Sequence, residues 1–355
     1  MKVVAIRGGT SWAERPQVPE LEFETPLFVD WMTIRQVHPS GLPKLADGWM
    51  LSINGDGTTE YQTEKRMPVV GSFESTVWVR CNGNQVEFHG NISRHGRRDN
   101  VFGYTVEESI RRVNELLNLY SLPPFTRGVL ERYADTGAMW TGARFSRIDI
   151  TKNHAAFSWN DAQQVIRILA GHHIGRQKGT VTPDGTTVLY GYGSKYASGK
   201  CYLKAHELEV HRKKKSGEHV GQDVVDFCRD VGVLREEFTL KSRFLTQMQL
   251  AFLGDVTHAR LEAVYQQRSQ LQRLDQMTYP DLGNLSAAVR GTLARYENGE
   301  ALNLKRRTFY NHRRALLPFG VDISVVKPVQ KFAAPVRVIE RAQLVAPEWY
   351  RRKYG

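Results

Sequence analysis

Within six residues, Tyr202-Leu203-Lys204-Ala205-His206-Glu207 places a phenol, an ammonium and a carboxylate. Two acidic segments are candidates to join it: Ser146-Arg147-Ile148-Asp149-Ile150-Thr151 upstream and Leu234-Arg235-Glu236-Glu237-Phe238 downstream. A tyrosine nucleophile, a cation and carboxylates able to hold a divalent metal are the minimum parts for breaking a DNA strand and keeping its end covalently attached. A free phenol has a pKa of about 10 and attacks poorly near neutral pH, so an ammonium and a metal are needed to stabilise the phenolate and the charge developing on phosphate. Taken alone, the six residues also suit an ordinary strand with a charged surface.

The chemistry sets conditions on the backbone. Tyr202 and Lys204 share a face only if the chain is extended, because on a helix they diverge by about 200°. Lys200 to Glu209 reads as a strand or a strand-to-helix junction. In the strand expected from Ala143 to Thr151, Asp149 shares a face with Arg147 and Thr151, while Ile148 and Ile150 take the other. That arrangement suits a metal ligand and a structural ion pair equally. In the strand expected from Val233 to Leu240, Glu237 faces the same way as Arg235 and Thr239.

Around these lie further strands at Phe28 to His38, Thr76 to Cys81, Val86 to Asn91 and Thr187 to Tyr192, bounded by turn signals such as Asn54-Gly55-Asp56-Gly57 and Pro183-Asp184-Gly185. Val106, Ile110, Val113 and Leu117 recur at helical spacing within Thr105 to Tyr120, and a second helix is expected from Asn160 to Leu169. Strands interrupted by helices indicate an α+β fold with a largely antiparallel sheet. From Lys241 onward the segments turn helical: Arg243 to Phe252, Thr257 to Gln270, Asn284 to Tyr296 and Leu304 to Leu317. The expected organisation is an α+β domain over residues 1–245, a helical region over 246–325 and a basic tail over 326–355.

The chain has 355 residues, of which 49 are Lys or Arg and 37 Asp or Glu, a net charge of +12. That balance favours a polyanionic partner such as nucleic acid. A membrane partner fares worse, since no apolar run approaches the roughly 20 residues of a spanning helix and Met1 to Arg7 has too short an apolar core for a signal peptide. Cys81, Cys201 and Cys228 form no CxxC pair, which argues against a disulfide framework and for a cytoplasmic protein. Cys201 reads as a small buried residue rather than a reactive thiol.

Three tempting patterns fail on spacing. Gly193 to Lys200 resembles a P-loop, yet five residues separate its glycines instead of four and Cys201 stands where Ser or Thr would hold magnesium. His206 and His211 lie about 140° apart on a helix and cannot share a zinc face. His172 and His173 point to opposite faces of a strand. Any metal site is therefore expected to be built from carboxylates, which suit the hard cations Mg2+ and Mn2+.

Four segments occur in a telling order: Asp99-Asn100-Val101-Phe102-Gly103, Phe145-Ser146-Arg147-Ile148-Asp149, Tyr202-Leu203-Lys204-Ala205-His206-Glu207-Leu208 and Leu234-Arg235-Glu236-Glu237. In this order they resemble the replication initiators of filamentous phages, the gene II and gene X protein family. Thr308 to Leu317 with Phe319-Gly320-Val321-Asp322 looks like that family's C-terminal segment. Tyr190 to Glu207 is also similar to rolling-circle initiators of small plasmids. The resemblance implies that Tyr202 is a nicking nucleophile, that Lys204 lies beside the scissile phosphate, and that Asp149, Glu207 and Glu237 hold Mg2+ or Mn2+. Glu236 stands where relatives tend to have an apolar residue, and Glu87 or Glu209 are substitute ligands.

The implied reaction is attack on the plus-strand origin, leaving a 5′-phosphotyrosyl link and a 3′-hydroxyl that primes rolling-circle replication. The implied partners are double-stranded and single-stranded origin DNA, with a host helicase and polymerase. Arg147 and Arg235 are candidate DNA contacts near the nucleophile. In Leu304 to Leu317, Arg306, Tyr310 and Arg313 form one helical stripe beside Arg314, which fits a helix-turn-helix-like origin reader and a solvated helix face alike. The competing reading is a non-catalytic origin-recognition or repressor protein that binds DNA without forming an adduct.

Overall fold

The computed structural model describes residues 26–39, 41–46, 48–133, 137–170, 173–174, 177–213, 220–272, 285–297, 299–317, 321–324 and 341–354. The chain opens with β1 (Phe28–Val37), a hairpin of β2 (Trp49–Ile53) and β3 (Thr59–Glu64), then β4 (Met67–Val70), β5 (Thr76–Cys81) and β6 (Gln85–Gly90). Helix α1 (Val106–Asn118) and a hairpin of β7 (Leu130–Tyr133) and β8 (Gly137–Trp140) precede the long central strand β9 (Arg144–Ala155). There follow α2 (Trp159–Leu169), the short strands β10 (His173–Ile174), β11 (Gln177–Lys178) and β12 (Thr180–Val181), then β13 (Thr187–Tyr190), β14 (Ala197–Leu203), α3 (Lys204–Arg212), α4 (Gln222–Asp230) and β15 (Val233–Lys241). After α5 (Ser242–Gln247) and α6 (His258–Arg268) come helices Ala287–Glu297 and Arg306–Leu316, strand β16 (Ala342–Leu344) and a last helix, Glu348–Tyr354.

Ten strands join in one sheet, ordered β12-β13-β14-β15-β9-β1-β6-β5-β4, with β16 on the end of β9 that β1 leaves free. Every pairing in it is antiparallel, as the alternating strand patterns require of an α+β fold. The helices begin where capping chemistry allows: the Thr105 hydroxyl accepts from the Glu108 amide at 3.2 Å, and the Ser158 hydroxyl from the Asp161 amide at 3.1 Å.

The two faces of the sheet are covered differently. On one, Met32, Ile34, Ile148, Ile150, Cys201, Leu234, Phe238 and Leu240 pack under the apolar stripes of α1, α2, α5 and α6. On the other, a smaller core of Val101, Phe102, Ala155, Leu208, Val224, Val225, Val233 and Tyr350 covers one end only. Beyond that end the second face turns polar, and the Tyr202 side chain lies there, buried among polar and charged neighbours.

The main core continues through Leu250, Leu253, Leu261, Val264 and Leu271. Val289, Leu316 and Ile323 form a third cluster between the two helices Ala287–Glu297 and Arg306–Leu316. Residues 342–354 of the expected tail return to the sheet through β16 and Tyr350.

Candidate active site

Antiparallel register assembles the site. Tyr202 lies opposite Arg235, Lys200 opposite Glu237, Glu237 opposite Thr151 and Thr239 opposite Asp149, so all of these side chains emerge on one face. The Tyr202 hydroxyl donates to Glu237 Oε1 at 2.5 Å, and Lys200 Nζ reaches Glu237 Oε2 at 2.7 Å. Lys200 Nζ also sits 4.7 Å over the centre of the Tyr202 ring.

The chain turns from β14 into α3 at Leu203–Lys204, which lets a helical residue share the site with a strand residue. Lys204 Nζ, fully buried, donates to Asn100 Oδ1 at 2.8 Å and to Glu207 Oε2 at 2.7 Å, and stands 6.0 Å from the Tyr202 ring centre. Asn100 is a hub: its amide donates to Asp30 Oδ1 at 3.1 Å and its carbonyl accepts from Arg235 Nη2 at 2.6 Å. The segment that carries it is fixed on both sides. The Asp99 carboxylate accepts from the Val101 amide and the Tyr350 hydroxyl, and Gly103 has no room for a side chain because a Cβ would lie 2.3 Å from the Phe28 ring.

Asp30 enters through a β-bulge. Val29 pairs with Ile150 and Trp31 with Asp149, leaving Asp30 as the extra residue, a device that re-aims a side chain. Its Oδ1 also accepts from Asn91 Nδ2 at 2.9 Å.

Electrostatics follow from burial and crowding. Burial raises the Asp30 carboxyl to about 6, with the charge on Glu237 adding to the rise. Burial also raises Asp149, although Arg147 opposes it through hydrogen bonds at 2.9 and 2.6 Å. Glu237 is pushed up by burial, but Lys200 and Arg235 outweigh this and hold it below the usual carboxylate range. Burial, reinforced by Glu237, drives the Tyr202 phenol well above its ordinary value. Lys204 is lowered by burial and by Arg235.

The expected ligands are therefore not gathered as a triad. Asp149 and Glu237 share the open face, whereas Glu207 is engaged by Lys204 and, at 3.3 Å, by His211. Among the described residues no three His, Cys, Asp or Glu side chains are grouped to hold a metal ion. Of the substitutes, Glu236 points to the opposite face, where Tyr265, Ser269 and the Gln270 amide satisfy it at 2.6, 2.6 and 2.9 Å. Glu87 pairs with Arg66 and Glu209 with Arg229. The donors on the open face still suit a hard cation, since magnesium needs only one or two carboxylates alongside phosphate and water. Thr151 Oγ1, opposite Glu237, is buried with no hydrogen-bond partner among the described residues.

Arg235 is fully buried, with Nε on Asn153 Oδ1 at 3.0 Å and Nη1 4.0 Å from Glu237, so it meets DNA only if the substrate enters the site. Arg147 is 39% exposed at its side chain. In the C-terminal helix, Arg306, Tyr310 and Arg314 are exposed, but Arg313 is bound in a two-pronged pair to Asp322 at 2.6 and 2.8 Å. Of the P-loop-like segment, Gly193 to Tyr196 lie in the loop joining β13 to β14 and Ala197 to Lys200 in β14, and the Cys201 side chain is buried in the main core. His206 meets Asp184 at 3.3 Å; His172 lies outside the described residues and His173's side chain is likewise not described.

Sequence reading assigned no role to Lys200, Asp30 or Asn100. Lys200 was legible in principle, two residues before Tyr202 on one strand face. Asp30 was not, since a bulge breaks the alternation that reveals facing.

The site is thus a tyrosine hydrogen-bonded to a carboxylate and flanked by three buried or half-buried cations on one face of an antiparallel sheet. Family comparison supplies the particular kinship. Residues 28–259 match the N-terminal region of the gene II replication-associated protein of filamentous phages and residues 281–354 its C-terminal region, so the chain belongs to this phage replication protein family. It is 26% identical to the replication-associated protein of Escherichia phage If1, covering 78% of this chain and 97% of that protein. Against its counterpart from Enterobacteria phage I2-2 the identity is 25%, covering 84% and 88%. A solved rolling circle replication initiator protein from Geobacillus stearothermophilus is similar over 63% of this chain and 78% of that one, at 10% identity and a TM-score of 0.26, too slight a likeness to carry an argument. No helix among the described residues is long and apolar enough to cross a membrane.

Proposed function

We propose that this phage replication protein nicks and rejoins one strand at a replication origin through Tyr202, initiating rolling-circle synthesis. The observation that carries the reading is the 2.5 Å hydrogen bond from the Tyr202 hydroxyl to Glu237, within reach of Lys200 and Lys204. Glu237 acts as the general base. Its Oε1 takes the phenolic proton, Tyr202 Oη bonds to phosphorus, and the bond from phosphorus to the 3′ oxygen breaks. That oxygen takes a proton from water to become the priming 3′-hydroxyl, and the 5′ phosphate stays on Tyr202.

In the resting site this proton transfer runs uphill, because the phenol is raised and Glu237 is lowered. Lys200, Lys204 and Arg235 reverse the balance as negative charge moves onto the phosphate, which they stabilise more than they stabilise the neutral phenol. Asp149 and Asp30 would hold a magnesium or manganese ion together with phosphate oxygens and water, supplying further positive charge to the phosphate. The bond energy kept in the phosphotyrosyl link allows rejoining without ATP.

The test is incubation with supercoiled origin plasmid and magnesium. Wild type should yield nicked circles and an SDS-stable adduct on the peptide containing Tyr202. Tyr202→Phe should yield neither at unchanged DNA affinity, its folding cost being about 1.5–3 kcal/mol for one hydrogen bond to a charged group. Tyr202 is buried, as a structural tyrosine would also be; normal nicking by Tyr202→Phe would give it that structural role, and wild type that binds origin DNA without forming an adduct would decide for a non-catalytic origin binder. Nicking should also stop in excess EDTA and in Asp149→Ala, and full activity in EDTA would remove the metal from the scheme.

A further inference from the structure

The polar face that carries Tyr202 continues past Asp149 into a cluster of rings. Trp31 lies opposite Asp149, and His89 lies opposite both Thr33 and Trp78, which brings three aromatic side chains from β1, β6 and β5 together. Trp31 and His89 are edge to face at 5.0 Å, Trp78 and His89 at 5.7 Å, and the two indoles are 6.1 Å apart. All three are half-buried, although the opposite face of the same strands buries Met32, Ile34, Val77, Val79 and Phe88 completely. These rings are not core residues short of cover; they form a separate group on the side that the helices leave open.

Cations border them. The Arg147 guanidinium is 5.3 Å from the Trp31 ring centre while it holds Asp149, so one side chain links the rings to the site carboxylates. Arg35 is exposed two residues beyond Thr33 on the same strand face, and Trp31 Nε1 is a buried donor with no partner among the described residues. Four strand spacings separate Glu237 on β15 from Trp78 on β5, roughly 19 Å. Flat rings among cations suit unpaired nucleobases on a phosphate backbone, whereas a duplex keeps its base faces stacked and hidden.

We propose that Trp31, His89 and Trp78 form a stacking platform for unpaired bases of the DNA strand whose phosphate reaches Tyr202. The proposal rests on the nicking reading for the identity of that strand. The bases stack on the rings, Arg147 and Arg35 meet the backbone, and the strand crosses the sheet toward Glu237. The platform selects melted DNA over duplex and gives little sequence preference, since every base has an aromatic face.

The experiment uses the full chain carrying Tyr202→Phe, which binds without cleaving, and two probes: a 12-nucleotide oligothymidine and an abasic strand of equal length. Oligothymidine should quench tryptophan fluorescence and bind more tightly than the abasic strand. Trp78→Ala should weaken oligothymidine binding roughly tenfold or more and leave abasic binding unchanged. Trp78→Phe should restore affinity, and Trp31→Phe with Trp78→Phe should bind while losing the quench. Equal affinity for the two strands, or a quench that survives the double Phe variant, overturns the platform and leaves the rings to another kind of partner. Should Trp78→Ala fail to fold, the comparison of the two strands decides alone. An adduct found on a residue other than Tyr202 would overturn the nucleophile assignment without altering these binding results.

Discussion

At Asp30 a single inserted residue turns a carboxyl toward two others, and burial together with Glu237 holds its pKa up at about 6. In the unfolded chain the same group ionises near its ordinary value of 3.8. As pH rises between these values the unfolded state loses its proton first, so the protein loses stability as pH rises through about 6. Asp30→Asn keeps an oxygen to accept from Asn91 and Asn100 and removes the charge. It should stabilise the fold by on the order of 1–2 kcal/mol at pH 8 and by nearly nothing at pH 4. Urea unfolding at the two pH values reads this directly, and an equal effect at both would show that Asp30 is not crowded. The same substitution should slow nicking if Asp30 helps to hold the metal.

At the scale of elements, the C-terminal helix divides its arginines between two tasks. Arg313 is committed to Asp322, which is itself buried and also accepts from the Ser324 amide and hydroxyl, so Arg313→Ala removes its charged partner and should cost about 1–2 kcal/mol of the helical unit's stability. Arg306 and Arg314 are exposed, and their loss should leave stability alone while flattening the salt dependence of DNA binding by about one unit of slope each. Thermal melts and salt titrations of the three single variants separate the roles. Unchanged salt dependence for Arg306→Ala and Arg314→Ala would make this helix a solvated face and not an origin reader. We propose residues 285–324 as the separable helical unit, since their apolar side chains cluster with one another while those up to Leu271 belong to the sheet's core.

Over the whole molecule, the last residues matter to the first. Tyr350 donates to Asp99, packs on Phe102 at 4.9 Å and thereby secures the segment whose Asn100 joins Asp30, Lys204 and Arg235. Removing residues 342–355 uncovers Phe102 and part of the smaller core. The shortened protein should still melt cooperatively through its main core, at a lower temperature, and should lose nicking by at least tenfold. Full activity in the shortened protein would mean that the Asn100 segment holds its place unaided.

Local pattern was enough for much of this. Alternation of apolar and polar residues gave the facing of Arg147, Asp149 and Thr151 and of Arg235 and Glu237, and helical spacing gave α1 nearly to the residue. These properties depend on neighbours in the chain, so the chain itself carries them. The segments from Asp99, Phe145, Tyr202 and Leu234 likewise pointed to the phage replication family. The sequence could not say that Glu207 is taken by Lys204 and His211, that Arg235 is sealed inside, or that Tyr265 and Ser269 satisfy Glu236 on the opposite face. Nor could it bring Asp30 into the site. The placing of Asp30 beside Asp149 and Glu237 depends on strand order, register and one bulge, which bring together residues more than a hundred positions apart through the packing of the whole sheet.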